Sequence, residues 1–194
     1  MKKDIIGRYE CTESGEIIVD ISTQKVEDLY DDFDRRSHFL KKDLNQDLVE
    51  YIIDSVTEID KREFIVQFNL EVAAEKESIT RVKNSVKNFF VYMQELERRK
   101  MKEMGRTSII LFLIGFIIAS ISVLMNQSEI VKTSVMAGVV AEGLTVAAWV
   151  SLWEALATIL IKWMPHKKKI SIYQRIADAK VVFNFPDTRT IAKV

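Results

Sequence analysis

Residues 109–125 read IILFLIGFIIASISVLM, and this stretch constrains the fold of the whole chain. No residue between Arg106 and Glu129 is charged. A helix needs about 20 apolar residues to cross the ~30 Å hydrocarbon core of a bilayer, so the segment is long enough for a span. A buried hairpin of a soluble protein is the alternative, but a chain of 194 residues has little other mass to cover this helix on all sides.

A second apolar stretch runs from Val135 to Ile161 and is interrupted by Glu142 and Glu154. We predict spans over about 107–126 and 136–162, with Pro165 ending the second helix because proline cannot continue the hydrogen-bond ladder. The predicted organisation is a cytosolic α/β region ending in a long helix, a transmembrane helical hairpin, and a cytosolic helix–strand tail. These three parts cover residues 1–105, 106–163 and 164–194.

Cations flank both apolar stretches. Because cationic flanks resist translocation, both chain ends are expected in the cytosol, with the protein in the prokaryotic cytoplasmic membrane. The same side chains could bind anionic lipid headgroups, or could act as a topology signal alone. The candidates for headgroup binding are Arg98, Arg99, Lys100, Lys102, Arg106, Lys162, Lys167, Lys168 and Lys169.

The region before the spans predicts a small sheet. The turn residues Ser14-Gly15 separate two short extended segments, 9–12 and 16–21, which predicts a β-hairpin. Apolar residues then recur at helical spacing over 44–59 and predict a helix. Asp43 and Gln46 have capping-box spacing at its start. Alternation over 64–70 predicts a strand.

A long helix is predicted from about Ala73 into the first span. Its apolar positions, Ile79 to Leu96, keep a three–four spacing that suits either a self-associating coiled coil or a helix lying on the sheet. After the second span, 170–179 predicts a helix and 181–185 a strand that joins the N-terminal sheet. The predicted fold is therefore an α/β cytosolic domain, a small sheet with flanking helices, interrupted by a two-helix transmembrane hairpin.

Several motifs resemble a widespread family of small prokaryotic two-span membrane proteins. This resemblance covers most of the chain and implies a membrane location, but no activity or binding residue is assigned to that family. The motifs are Val26-Glu-Asp-Leu-Tyr30, Lys42-Asp-Leu-Asn45, Glu50-Tyr-Ile52, Ala148-Trp-Val-Ser-Leu-Trp153, Trp163-Met-Pro165 and Tyr173-Gln-Arg-Ile176.

Glu154 is the most informative polar residue, since it lies ~12 Å before Lys162 at 1.5 Å per residue, deep within the predicted span. An ionisable group at that depth is a functional hypothesis by default. It could be a structural hydrogen-bonding group beside Ser or Thr hydroxyls, line a hydrated path in an oligomer, or pair with a cation on a membrane partner. The intramembrane polar candidates are Glu154, Glu142, Ser151 and Thr158.

Small residues allow close helix packing in lipid, and both spans carry a stripe of them. An antiparallel alignment places Gly115 roughly level with Glu154. The predicted packing positions are Ser108, Gly115, Ala119 and Ser122 in the first span, and Gly143 and Ala147 in the second.

Composition and motifs favour a binding role. The 28 basic and 28 acidic residues cancel, so no nucleic-acid partner is expected. No metal or cofactor motif is present, and the acidic run Asp31-Asp-Phe-Asp34 and the pair Arg35 and His38 are weak catalytic candidates. We expect a membrane-anchored interaction, scaffold or accessory module that forms homo-oligomers, contacts lipids and meets a further membrane protein. The alternatives are a proton- or cation-conducting oligomer that uses Glu154, and a membrane-anchored enzyme.

The cationic flanks predict a labelling pattern. In a Cys11→Ser background, an impermeant thiol reagent on intact cells should label Ser128→Cys, in the short loop, and spare Ser171→Cys. After the cells are disrupted, the reagent should also label Ser171→Cys, which shows that this cysteine is reactive. Reversed labelling of intact cells would contradict the orientation.

Overall fold

The computed structural model describes residues 7–30 and 44–185, except the side chains of Ile130 and Lys132. The chain is mostly helical, with a small three-stranded parallel sheet and two long apolar helices. It forms two compact units, which we call the sheet unit (Met1–Gln94 with Ile170–Val194) and the hairpin unit (Glu95–Lys169). The acidic run at 31–34 and the pair Arg35 and His38 lie outside the described residues.

One helix and a short 3-10 turn separate the first two strands, and several consecutive helical elements separate the second strand from the third. In chain order they are β1 (Ile17–Thr23), a 3-10 turn (Val26–Leu29), α1 (Gln46–Ile59), β2 (Phe64–Leu70), α2 (Lys76–Asn126), α3 (Glu129–Thr133), α4 (Val135–Ala157), a π-helical turn (Thr158–Lys162), α5 (Trp163–Asp178) and β3 (Lys180–Asn184).

Strand β2 is the centre of the sheet, which has the order β1-β2-β3. The predicted strand over 64–70 is confirmed. Ile17 pairs with Phe64 on one side, Phe68 pairs with Phe183 on the other, and both pairings are parallel. Parallel strands are joined by crossover connections, which are right-handed in nearly all proteins. Successive crossovers of the same hand place their connecting helices on the same face of the sheet.

The predicted N-terminal hairpin is reduced to a single antiparallel bridge between Cys11 and Ile17. A tight turn leads into it, in which Gly15 has a φ of 86°, a conformation that favours glycine. The backbone N–H of Thr12 donates to the carbonyl of Glu16 at 2.9 Å. The predicted hairpin is thus present as a short pairing on one edge of β1, and the other edge of β1 pairs along its whole length with β2.

Helix α1 begins two positions later than the proposed capping box implies. Asn45 is its N-cap, and the Asn45 side-chain oxygen accepts from the backbone N–H groups of Asp47 and Leu48. An Asn oxygen at this position bonds otherwise unpaired N–H groups of the first turn, so the cap predicted at Asp43 is not needed.

The core lies between the sheet and the helices on one of its faces. Val19, Val66 and Phe68 of the sheet are fully buried and belong to one cluster with residues of the helices. The helical members of that cluster include Ile52, Val56, Val82, Val86, Phe90, Tyr173 and Ile176. The apolar seam of α2 therefore packs on its own sheet, which is the second of the two alternatives for that seam.

The other face of the sheet is mixed, because Ile65 is buried there and several of the remaining positions are polar. Parallel sheets are usually covered on both faces, and alternate residues of a strand point to opposite faces. Asp20, Ser22 and Asn184 are exposed here, whereas Gln67 and Asn69 are half-buried and the Gln67 amide donates to the Asn69 side-chain oxygen at 3.1 Å. We call these five residues the polar sheet face.

The second apolar helix does not end at Pro165. The π-helical turn lies directly after α4, and α5 begins at Trp163, so that Pro165 falls within the first turn of α5. Trp163 has helical backbone angles and follows the π-helical turn without a break, so the wider turn directly upstream accommodates the proline ring and its missing N–H.

The pairing of β3 with β2 predicts a sharp difference between two truncations. A chain ending at Lys169 loses Tyr173, Ile176 and Phe183 from the core, so we expect no cooperative thermal unfolding by circular dichroism in detergent. A chain ending at Phe185 keeps all of these contacts and serves as the control. Equal melting of the two proteins would contradict a structural role for β3.

Candidate functional site

Within the hairpin unit, α2 and α4 pack antiparallel through small side chains. The Ser108 hydroxyl donates to the Ala155 carbonyl at 2.6 Å, and the Ser122 hydroxyl donates to the Ala141 carbonyl at 3.1 Å. Each bond joins a hydroxyl of one helix to a backbone oxygen of the other. These two bonds fix the register of the helices near opposite ends of their contact.

Buried positions recur every seven residues along this contact. Ser108, Gly115 and Ser122 are buried on α2, and Ala141, Ala148 and Ala155 are buried on α4. A seven-residue period keeps the contact in one line when the helices wind around each other with a left-handed twist. The predicted packing position Ala119 is half-buried beside this line.

Gly115 is the point of closest approach. A Cβ atom on this glycine would lie 3.0 Å from the Leu152 side chain and 3.1 Å from Ser151. Any larger residue would therefore force the helices apart. By contrast, Gly143 has no atom within 4 Å of such a Cβ, and Ala147 is exposed. These two predicted packing residues lie away from the α2–α4 contact, because α4 presents the face of Ala141, Ala148 and Ala155 to α2.

Glu154 forms an ion pair with Lys162 on the outer surface of the hairpin unit. The Lys162 ammonium donates to a Glu154 carboxylate oxygen at 2.6 Å, and the two side chains are 56% and 50% exposed, respectively. Glu154 thus lies away from Gly115, and its cationic partner belongs to the same chain.

The π-helical turn helps to explain this pairing. In an ideal α-helix a residue eight positions later lies roughly 80° around the axis. A π-helical turn has more residues than an α-helical turn, so each residue advances less around the axis and the offset between Glu154 and Lys162 becomes smaller. π-helical turns occur often at functional sites, and here the turn ends at the lysine of the pair.

The other polar candidates are placed separately. Thr158 is buried, whereas Glu142 is exposed. The Ser151 hydroxyl donates to the Ala147 carbonyl of its own helix at 3.0 Å. Among the candidates Glu154, Glu142, Ser151 and Thr158, the structure therefore joins no two by a hydrogen bond among the described residues.

A second charged cluster connects α2 and α5 within the hairpin unit. A carboxylate oxygen of Glu97 lies 2.5 Å from Nδ1 of His166, and the Lys100 ammonium donates to its other oxygen at 2.9 Å. The Glu97 side chain is only 5% exposed. Burial alone would raise the pKa of Glu97, but the hydrogen bonds to His166 and Lys100 outweigh it and lower this pKa below its ordinary value of 4.5.

Sequence reasoning missed this cluster because Glu97 and His166 lie far apart in the chain. The one available signal was the burial pattern of α2, in which Glu97 falls on the stripe of Phe90 and Gln94. A carboxylate on an otherwise apolar stripe predicts a partner on a neighbouring element.

The predicted headgroup ligands are exposed at the same end of the hairpin unit as this cluster. Two of them already have carboxylate partners, since Lys100 binds Glu97 and Lys162 binds Glu154. Arg99 lies 3.5 Å from Glu95. The remaining candidates are Arg98, Lys102, Arg106, Lys167, Lys168 and Lys169, and all of them are exposed.

The sheet unit carries a cavity of about 420 Å³ at the carboxyl ends of its three strands. Ligands of open α/β sheets bind in the crevice outside this edge. Hydroxyl and amide groups form most of its polar lining, and Glu71 is its charged member. The lining residues are Ser22, Thr23, Gln24, Asn69, Leu70, Glu71, Asn184 and Phe185.

No three His, Cys, Asp or Glu side chains come together as a metal site in residues 7–30 and 44–185. Comparison with protein-family models, curated proteins and solved structures found no match to this chain. The class that the fold defines is a small parallel-sheet protein with two helices that are long and apolar enough to cross a membrane.

The Glu97 cluster predicts a pH-dependent loss of stability. Because the pKa of Glu97 is lowered on folding, its stabilisation is present above pH 4.5 and disappears as the pH falls through the folded-state pKa. Glu97→Gln should lower the free energy of unfolding at pH 7 by about 1.5–3 kcal/mol, the range for hydrogen bonds to charged groups. Glu95→Gln, at a half-buried carboxylate 3.5 Å from Arg99, is the control. A Glu97→Gln deficit of constant size at every pH down to the acid limit of cooperative unfolding, measured with denaturant in detergent, would contradict this assignment.

Proposed function

We propose that this chain is a membrane-anchored interaction module with a scaffold or accessory role. In this proposal the hairpin unit crosses the prokaryotic cytoplasmic membrane twice. The sheet unit is a cytosolic α/β domain, interrupted in sequence by the hairpin, and both chain ends lie in the cytosol. The module contacts lipids, self-associates and presents a surface to a further protein.

Support for the anchor comes from the surface of the hairpin unit. Only 17% of the most apolar window of each long helix is buried, whereas a core helix of a soluble protein is mostly covered. Its aromatic residues face outward as well, with Trp149 and Trp153 70% and 69% exposed. Such a surface suits lipid, and the cations at one end suit the cytosolic headgroup region.

The polar sheet face is the observation that carries the interaction role. Among the described residues this face carries amide, hydroxyl and carboxylate groups beside the buried Ile65, and Asp20, Ser22 and Asn184 are exposed on it. These groups match the hydrogen-bonding pattern of a polar protein surface. The cavity at the strand ends continues this surface, because Ser22, Asn69 and Asn184 belong to both.

The conducting alternative has less support. A conducting carboxylate must exchange its ion with water, whereas Glu154 is neutralised by Lys162 at 2.6 Å. Proton or cation flux through wild-type protein in liposomes, abolished by Glu154→Gln with assembly intact, would favour conduction over the interaction role.

The interaction role predicts site-specific photo-crosslinking in living cells. A photoreactive amino acid at Ser22, on the polar sheet face, should give an adduct of defined mass with a cytosolic or membrane protein. The same residue at Asp54, exposed on α1, is the control and should give none. Absence of an adduct at Ser22, or equal adducts at both positions, would contradict the proposal that this face binds a partner.

A further inference from the structure

The Glu154–Lys162 pair faces outward from the hairpin. The α2–α4 contact uses Ala141, Ala148 and Ala155, and the ion pair lies on a different side of α4. About half of each charged side chain is therefore left without cover by the described residues, and Val150, one turn before Glu154, is exposed as well.

The direction of α4 keeps this pair inside the membrane. Side chains of an α-helix lean toward its N-terminus, and in the proposed topology the N-terminus of α4 faces outward across the bilayer. Lys162 follows this rule, since its ammonium reaches back to a residue eight positions earlier. It cannot extend to the cytosolic headgroups while it holds Glu154, whereas Arg106 on the oppositely directed α2 leans toward the cytosol.

A charge pair in hydrocarbon needs further polar partners, because each ion keeps unsatisfied hydrogen-bonding capacity after a single contact. A lipid phosphate stays at the headgroup level and does not reach Glu154, ~12 Å inside the boundary at 1.5 Å per residue. A second copy carries the same two charges at the same depth when the two-fold axis lies along the membrane normal. Each lysine can then approach the other copy's glutamate.

We propose that the side of α4 that carries Glu154 and Lys162 is where a second copy of this chain docks. The inference rests on the anchoring part of the proposed function and names the partner for self-association. Two ion pairs form one four-charge network between the copies, shielded from lipid. Ala147 lies two turns before Glu154 on the same side, and the open space beside Gly143 leaves room for the partner helix.

Disulfide formation in native membranes tests this docking. In a Cys11→Ser background, full-length Ala147→Cys should form a cross-linked dimer under mild oxidation. Ile117→Cys is the matched control, because Ile117 is 57% exposed on α2 but faces away from Gly115 and hence from α4. It should remain monomeric. A monomeric Ala147→Cys protein, or equal cross-linking at both positions, would overturn the proposal.

Charge variants of Ala147→Cys distinguish the network from mere proximity. Glu154→Lys should abolish the cross-link, and the swap Glu154→Lys with Lys162→Glu should restore it. Glu142→Lys changes an exposed carboxylate elsewhere on α4 and should leave the cross-link unchanged. A swap that fails to restore the dimer would overturn the charge network. A dimer that persists in Glu154→Lys would do the same.

Thiol labelling at Ser128 and Ser171 in parallel samples separates the two proposals. If the labelling is as expected but no cross-link forms, the docking proposal is overturned and the proposed membrane anchor is unaffected. Reversed labelling overturns the proposed topology and with it the docking proposal.

Discussion

Parallel strand pairing is the constraint on which the rest of this structure depends. Two parallel strands cannot be joined by a tight turn, because the chain must return to the starting end of the sheet. Between β2 and β3 the returning chain includes the whole hairpin unit, and Phe68 still stacks on Phe183 at a ring distance of 5.3 Å. A short C-terminal strand thus determines that both ends of the hairpin unit connect to the same sheet.

The polar groups of the hairpin unit follow a second constraint, because few hydrogen-bond partners would be available to them in the lipid environment that we propose. Ser108 and Ser122 donate to carbonyls of the facing helix, and Ser151 donates to its own helix. Glu154 and Lys162 satisfy each other's charge but keep exposed surface. These three hydroxyls are therefore satisfied within one chain, whereas the ion pair keeps capacity for a partner.

Sequence pattern predicted the elements better than their contacts. The strand Phe64–Leu70 and the long helix into the first apolar stretch followed from alternation and from three–four spacing. The N-terminal hairpin is shorter than predicted, and its turn signal could not show that the second arm would also pair along its whole length with β2. The side of α4 that meets α2 was also missed, since it depends on the register of two helices. Neither the pairing of Glu97 with His166 nor the π-helical turn leaves a periodic signal in the sequence.

The π-helical turn also sets the phase of the helix that follows it. It holds more residues than an α-helical turn, so the removal of one residue from Thr158–Lys162 would return the segment toward ordinary α-helical geometry. Because each residue of the wider turn advances less around the axis, this deletion would leave the later side chains near their present phase relative to α4, whereas the same deletion in an α-helical turn would rotate them by about 100°. Related chains that lack one residue here could therefore keep their cation at the same place on the helix. The length of this turn is therefore as informative as the identity of its residues when such chains are aligned.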